Sequence, residues 1–221
     1  MMEIVTLAQF ERQTGVHITR KHTGKMTGKH SLSTSVVQNP ICQARAQNGD
    51  TICAHCYANK MLQGIYKKIE PCFTKNFEVL QRPLKVVPKL PEAWKTFRFE
   101  ALGDIASQTQ FHNYMLIARA NPNVTFTIWS KNLEICKAVL EYESKPKNLI
   151  IIQSAPIVNR AVKPKYDFVD KVFTVYNSWE AAEKAGHPIN CEAKEKHLRC
   201  EDCNRCYNLN NREVYVNELL R

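Results

Sequence analysis

The segment from residue 96 to residue 185 alternates between strand-like and helix-like patterns, and this alternation restricts the fold more than any other feature. Strands are predicted at 96–100, 124–128, 149–153 and 171–175. Helices are predicted at 107–118, 133–143 and 179–185, where apolar residues recur every three or four positions. Because strands that alternate with helices pair in parallel through right-handed crossovers, the pattern predicts an α/β fold with a parallel sheet.

The predicted architecture is a partial or irregular TIM-like barrel of parallel β/α units, with an open parallel sheet as the alternative. The run Leu149-Ile-Ile-Ile is continuously apolar, as is typical of strands buried on both faces. A chain of 221 residues can bury a complete core, so we expect a single domain over 1–221. Within it we distinguish a loop-rich N-terminal segment (1–57), an α/β core (58–190) and a C-terminal segment (191–221).

The first part of the chain has weaker patterns. Residues 1–40 show no periodic apolar spacing and are predicted to be irregular. A helix is predicted at 58–68, with Ile65 and Ile69 on its buried stripe. Three prolines are predicted to prevent regular structure across 82–92.

Most of the cysteines fall into two groups, one in each end segment. The groups are Cys42, Cys53 and Cys56, and then Cys191, Cys200, Cys203 and Cys206. The last three follow each other at strict three-residue spacing. A Cys-x2-Cys-x2-Cys loop can wrap one face of a cubane while a distant cysteine reaches the fourth iron, whereas structural zinc sites more often combine two separate Cys-x2-Cys pairs. The C-terminal spacing therefore predicts a 4Fe-4S cluster, with zinc as the alternative.

The N-terminal group offers three ligands, Cys42, Cys53 and Cys56. Three thiolates on a 4Fe-4S cluster leave one iron open, and an open coordination position separates a catalytic metal site from a closed structural one. Cys72 is the candidate fourth ligand that would close the site. Spacing does not choose between the two arrangements, so the sequence predicts one or two clusters in the protein.

Polar residues follow the predicted strands, at the ends where parallel α/β folds place their sites. They form four sets: Glu100 and Asp104, Ser130 and Lys131, Gln153 and Ser154, and Asn177 and Ser178. Asp104, Ser130 and Lys131 are the candidates for contacts with a cofactor. Asp104 and Lys131 are also the candidate catalytic residues.

The chain is basic, with 31 Lys and Arg residues against 21 Asp and Glu residues and a formal net charge of +10. Such a charge favours nucleic acid or another polyanion as a partner. Two 4Fe-4S clusters with four thiolates each would lower the net charge to about +6. The densest basic stretch runs from Arg20 to His30. An electron donor is the other predicted partner.

The sequence lacks an apolar run of 18 residues and begins without a signal-type apolar core, so we expect no membrane association. We expect a cytoplasmic protein. Thiols stay reduced in that compartment, which favours metal binding over disulfides. The sequence also lacks Gly-x-Ser-x-Gly and His-Glu-x-x-His, so neither common hydrolytic motif is present.

Several segments together resemble the gene-product-88 type of protein of phages and bacteria. They are Ser31-Leu-Ser-Thr-Ser through Cys42, Cys53-Ala-His-Cys56-Tyr-Ala, Phe97-Arg-Phe-Glu-Ala-Leu-Gly-Asp104, Trp129-Ser-Lys-Asn132 and Cys200-x2-Cys203-x2-Cys206. The resemblance covers residues 23–207 and implies a bound iron–sulfur cluster. If a phage encodes the protein, we expect it inside the bacterial host cell.

A looser resemblance links the N-terminal group to the radical SAM enzymes. Cys53-Ala-His-Cys56 is similar to the last part of their Cys-x3-Cys-x-aromatic-Cys motif, with His55 at the aromatic place. The interval between Cys42 and Cys53 is longer than in that motif. The resemblance implies S-adenosylmethionine at the open iron of a cluster on a partial TIM barrel.

These observations predict an iron–sulfur protein with redox or radical-type chemistry at the N-terminal group. The C-terminal group would then hold an auxiliary cluster. The alternative is a nucleic-acid-binding protein that a zinc ion or a cluster stabilises and that has no catalytic activity. The α/β pattern favours the first hypothesis, and the net charge favours the second.

Overall fold

The computed structural model describes residues 2–191 and 196–220, and this part of the chain contains eight strands and eight α-helices. The strands are β1 (Glu3–Thr6), β2 (His30–Leu32), β3 (Val86–Lys89), β4 (Thr96–Phe99), β5 (Thr125–Ser130), β6 (Leu149–Ser154), β7 (Lys171–Tyr176) and β8 (Tyr215–Leu219). The helices are α1 (Leu7–Thr14), α2 (Pro40–Ala46), α3 (Tyr57–Gln63), α4 (Glu70–Leu80), α5 (Gln108–Ala120), α6 (Leu133–Leu140), α7 (Trp179–Lys184) and α8 (Cys200–Cys203).

Six strands form the main sheet, in the order β2-β4-β5-β6-β7-β8, and every neighbouring pair is parallel. The predicted α/β fold with a parallel sheet is therefore confirmed. The strands follow each other in chain order, but β2 and β8 do not pair with each other among the described residues. The sheet is open, as in the alternative prediction, and a TIM-like barrel is not confirmed.

The main sheet takes strands from all three segments that the sequence distinguishes, because β2 precedes residue 58 and β8 follows residue 190. Neither strand was predicted. β2 has only three residues, and β8 carries the buried polar residues Asn217 and Glu218, which interrupt its apolar pattern. The two cysteine-bearing end segments are thus built onto the same sheet as the core.

A second, two-stranded sheet corrects two predictions about the first part of the chain. β1 and α1 lie in the stretch predicted to be irregular, and β3 lies in the proline-containing stretch 82–92. β3 pairs in parallel with β1, and Pro88 lies opposite Val5. A proline is tolerated there because β3 has only one neighbour in its sheet, so one side of the strand needs no N–H donor.

The largest core cluster lies between one face of the main sheet and helices α5 and α6. Phe97 and Phe99 from β4 pack there against Phe126 from β5, with ring centroids 5.1–5.5 Å apart. Tyr114 of α5 stacks on Phe99 at 4.3 Å. Cys136 of α6 is fully buried in the same cluster, as its helical spacing predicts.

Helix α3 is shorter than predicted. It ends at Gln63, and Gly64 follows in a non-helical conformation. The predicted burial of Ile65 and Ile69 is wrong, since they are 79% and 41% exposed. Leu62, which precedes the break, is buried as expected.

The opposite face of the main sheet, here called the second face, carries a different set of side chains. Arg98 alternates with the core residues of β4, and its guanidinium lies 4.0 Å above the Trp129 ring of β5. Tyr207, from the segment after α8, lies against Trp129 with centroids 5.6 Å apart and contacts Met26 through its hydroxyl at 3.4 Å. The segments around Met26 and Tyr207 therefore cover this face.

Candidate metal centres

Helix α2 places Cys42 beside the carboxyl edge of the main sheet. The side-chain oxygen of Asn39 accepts hydrogen bonds from the backbone N–H groups of Ile41 (3.0 Å) and Cys42 (3.3 Å), which caps the helix. The Asn39 amide donates to the carbonyl oxygen of Asp104 at 2.8 Å. Because Asp104 follows β4, the cap ties the start of α2 to the end of that strand.

Cys53 and Cys56 lie on and directly after the one-turn helix Ile52–His55. The Ile52 N–H donates to the carbonyl oxygen of Pro156 at 2.8 Å, which fixes this turn to the segment after β6. Cys42, Cys53 and Cys56 interact electrostatically with one another, so the structure brings the three thiols of the N-terminal group together.

Two thiols of the N-terminal group, Cys42 and Cys53, have raised pKa values. Burial, the largest cause, raises the pKa of Cys42, and the negative charges of Asp104 and Glu100 raise it further. Burial also raises the pKa of Cys53, although the positive charge of Lys131 opposes this.

The three polar candidates at this edge form one hydrogen-bonded unit. The Asp104 carboxylate accepts hydrogen bonds from the Ser130 hydroxyl (2.6 Å) and from the backbone N–H of Lys131 (3.1 Å). Arg45 of α2 approaches the same carboxylate at 3.5 Å. Asp104 therefore joins the ends of β4 and β5 to the helix that carries Cys42. The predicted site residues Asp104, Ser130 and Lys131 all lie beside the N-terminal thiols.

The remaining strand-end residues serve other contacts. Gln153 donates to the carbonyl oxygen of Lys163 at 3.1 Å and accepts from the N–H of Lys165 at 2.8 Å, which anchors a loop. Ser178 caps α7 by accepting from the N–H of Ala181. These contacts hold the loop after β6 and the first turn of α7.

Glu100 is a buried carboxyl group at the same edge. One oxygen accepts from the Thr34 hydroxyl (2.9 Å), the Gln110 amide (2.6 Å) and the Tyr114 hydroxyl, and the other accepts from the Thr34 N–H (3.1 Å). Burial is the largest effect and raises the pKa of Glu100 to about 7, although these donors oppose it. The backbone is left-handed here, with φ at 55°. The sequence shows Glu100 as one of several strand-end residues and gives no sign of this network.

Cys72, the candidate fourth ligand, lies exposed on the first turn of α4. The charged groups that act most strongly on Cys42 are Asp104, Glu100, Cys53 and Cys56. The structure therefore brings three thiols together, and closure of the site by Cys72 stays a prediction.

The C-terminal group lies against the second face of the sheet. Cys200 and Cys203 occupy the short helix α8, which ends at Asn204 in a left-handed conformation, and Cys206 follows. Cys206 interacts electrostatically with Cys191, Cys200 and Cys203, so these four predicted ligands are close together. Burial raises the pKa of Cys206 to about 12 and is also the main cause of the raised pKa of Cys200.

Cations dominate the surroundings of the C-terminal group. Lys25, Arg98 and Lys29 all oppose the rise in the pKa of Cys200, and Arg98 does the same for Cys206. Lys25 and Lys29 lie in the densest basic stretch of the sequence, whereas Arg98 was not singled out. Their signal in the sequence was weak, although the alternation Phe97-Arg98-Phe99 does place one charge on the opposite face from the core.

The two groups are separate sites with different neighbours. Within residues 2–191 and 196–220, no three His, Cys, Asp or Glu side chains are arranged to hold a metal ion as they stand. Cys42, Cys53, Cys56, Cys200, Cys203 and Cys206 are free thiols. Across the same ranges, no helix is long and apolar enough to cross a membrane.

The structure thus defines an α/β protein with one thiol group at the carboxyl edge of a parallel sheet and another on its second face. The chain belongs to the Gene product 88 family, whose family model matches residues 12–213. The resemblance to that family is confirmed, and the match includes both cysteine groups. No curated protein and no solved structure matches the chain.

Proposed function

We propose that this protein binds 4Fe-4S clusters through its two cysteine groups and carries out redox or radical-type chemistry at the N-terminal one. The observation that carries the proposal is the convergence of Cys42, Cys53 and Cys56 at the carboxyl edge of the parallel sheet. Parallel α/β folds hold their reactive sites at that edge, because loops from several strands meet there.

The donor sets suit a cluster. Thiolates are soft anionic ligands that favour iron–sulfur clusters and zinc, and both groups consist of thiols. Since burial raises the pKa of Cys42 and Cys206, metal binding at these thiols would release protons and would be favoured at higher pH. A 4Fe-4S cluster supplies one-electron chemistry when it is bound. Cys42, Cys53 and Cys56 would hold a cluster at the N-terminal site, and with these three ligands one position of the cluster would stay open.

The chain's own residues supply the surroundings of the N-terminal site. Asp104 fixes α2 to the strand ends, and Arg45 and Lys131 bring positive charge beside the thiols. Glu100 has a pKa of about 7, so its carboxyl group can take up or release a proton near neutral pH. In the radical SAM-like form of the proposal, S-adenosylmethionine binds at the open position and Asp104, Ser130 and Lys131 contact it. The chain-order winding of the sheet suits the partial barrel that such a form needs.

A nucleic-acid-binding protein without catalysis is the second candidate, favoured by the net charge of +10. The densest basic stretch supports it weakly, because much of its charge is used internally. Lys29 is buried, Lys25 pairs with Glu218 at 2.6 Å, and Arg20 pairs with Glu11 at 2.5 Å. We therefore rank this function below the first.

The test is anaerobic purification with analysis of iron, sulfide and zinc, followed by absorbance and electron paramagnetic resonance (EPR) spectra. About eight iron and eight sulfide per chain are expected for two cubane clusters. Cys42→Ser and Cys203→Ser should each remove about half of the iron. Cys72→Ser is the matched control and should remove none.

Two further results separate the candidates. A change in the EPR signal of the reduced protein on addition of S-adenosylmethionine would support an open iron at the N-terminal site. Zinc without sulfide at both groups would refute the iron–sulfur proposal. The second candidate would then be tested by the salt dependence of DNA and RNA binding.

A further inference from the structure

Among the described residues, no carboxylate forms an ion pair with three cations that lie near the C-terminal thiols. Lys29 and Lys171 are only 3% and 2% exposed, and the Nε atom of Arg98 is buried without a hydrogen-bond acceptor among the described residues. Over residues 2–191 and 196–220, none of the three forms an ion pair with Asp or Glu. Burying a charge is costly unless an opposite charge compensates it.

Neutral groups hold these cations in place. Lys29 donates to the Thr96 hydroxyl at 2.9 Å and lies 4.5 Å above the Tyr207 ring. Lys171 donates to the backbone carbonyl oxygens of Asn211 (2.8 Å) and Glu213 (2.7 Å). Such contacts orient a cation but do not neutralise it.

The described carboxylates around Lys29 and Lys171 pair with arginines. Glu201 and Asp202 are exposed, and Arg199 lies 3.8 Å and 2.9 Å from them respectively. Glu213 pairs with Arg205 at 2.5 Å. Glu201 acts on Lys29 more strongly than Cys200 does, but a cysteine is among the electrostatic neighbours of each cation: Cys200 for Lys29 and Arg98, and Cys206 for Lys171.

We propose that Lys29, Arg98 and Lys171 form a cationic cradle that stabilises an anionic metal–thiolate group on Cys191, Cys200, Cys203 and Cys206. Four thiolates give a net charge of about −2 with either a 4Fe-4S core or a zinc ion, so the cradle fits both. The inference rests on the proposed metal-binding role of this group. If the metal is a cluster, the cradle makes the C-terminal centre easier to reduce than the N-terminal one, whose neighbours include Glu100 and Asp104.

The test compares Lys29→Met and Arg98→Met with Lys29→Arg, which keeps the charge. Lys137→Met, on an exposed lysine that faces Glu141, is the control for loss of a surface charge. Lys25→Met should give a smaller effect than Lys29→Met, because Glu218 already pairs with Lys25. Lys25→Met removes a less buried side chain than Arg98→Met does, so it can be measured even if Arg98→Met does not fold.

Two readouts are measured on each anaerobically purified protein: the rate at which a chelator removes the metal, and the midpoint potential of each EPR signal. Cys203→Ser identifies the C-terminal signal. Lys29→Met and Arg98→Met should speed metal loss about tenfold, as loss of supporting contacts around metal ligands does. They should also lower the midpoint potential of the C-terminal signal only. Lys29→Arg and Lys137→Met should match the unmodified protein.

The outcomes separate the cradle from the proposed function. If both readouts are unchanged in Lys29→Met and Arg98→Met proteins that hold a full metal content, the cradle is refuted and cluster binding stands. If the C-terminal group holds zinc, the rate of zinc loss alone decides for or against the cradle, and the iron–sulfur proposal fails there. If the C-terminal group of the unmodified protein holds no metal, the cradle is refuted.

Discussion

The buried Glu100 should make the stability of this protein fall as the pH rises from about 4.5 to about 7. Burial raises the pKa of this carboxyl group from 4.5 to about 7, so the folded protein keeps a proton that the unfolded chain has released. In that window the folded state binds more protons, and the free energy of unfolding therefore decreases with pH. At about 1.4 kcal/mol for each pH unit, the loss attributable to Glu100 is about 3 kcal/mol.

Glu100→Gln removes this titration and keeps most of the contacts. The amide oxygen of glutamine can still accept from the Thr34 hydroxyl, Gln110 and Tyr114. Its NH2 group would face the Thr34 N–H, so one hydrogen bond is lost, at a cost of about 1–3 kcal/mol. The variant should be less stable than the unmodified protein at pH 5, and the difference should shrink or reverse at pH 8.

The assay is urea unfolding between pH 5 and pH 8, with reductant and chelator present in all samples so that metal binding does not contribute. The quantity to compare is the difference in unfolding free energy between the two proteins at each pH. His22 and His30, whose pKa values burial lowers, titrate in both proteins and cancel in that difference. A difference that stays constant across this range would refute the reasoning.

Further predictions concern packing. Gly103→Ala should destabilise the fold by about 1–3 kcal/mol, because its Cβ would lie 1.9 Å from a carboxylate oxygen of Glu100. Gly49→Ala, where nothing lies within 4 Å, is the control and should stay within about 0.5 kcal/mol; equal unfolding midpoints would contradict this. Leu62→Ala should cost about 2–5 kcal/mol and Ile65→Ala less than about 0.5 kcal/mol, measured by urea unfolding, and similar losses would show that α3 continues past Gly64.

The sheet could be predicted from the sequence where the apolar pattern of a strand is strong. The run Leu149-Ile-Ile-Ile became the central strand β6, and the alternation in Thr96–Phe99 became β4. The pattern failed for β3, which contains Pro88, and for β8, where buried polar residues replace apolar ones. In these strands pairing with neighbours decides the structure, and a local reading of the sequence does not contain that information.

The candidate sites divide in the same way. Asp104, Ser130 and Lys131 could be predicted as neighbours because parallel strands end at one edge, and Asp104 does accept from the other two. Lys29 and Arg98 could not, because their role depends on how distant segments cover the second face of the sheet. Sequence separation hides such contacts, since Arg98 and Tyr207 are 109 positions apart in the chain.

The electrostatic surroundings of the two thiol groups predict different reduction potentials for centres bound there. At the carboxyl edge, Arg45 and Lys131 offset the carboxyl groups of Glu100 and Asp104, so the N-terminal group lies in nearly balanced charge. The C-terminal group instead faces buried cations that form no ion pair with a carboxylate in the described part of the chain. Cations favour the more negative, reduced state of a bound centre, and balanced charge does not. If both groups hold clusters, electrons should therefore rest at the C-terminal centre, and a donor must supply stronger reducing power to reach the edge where substrate chemistry is proposed.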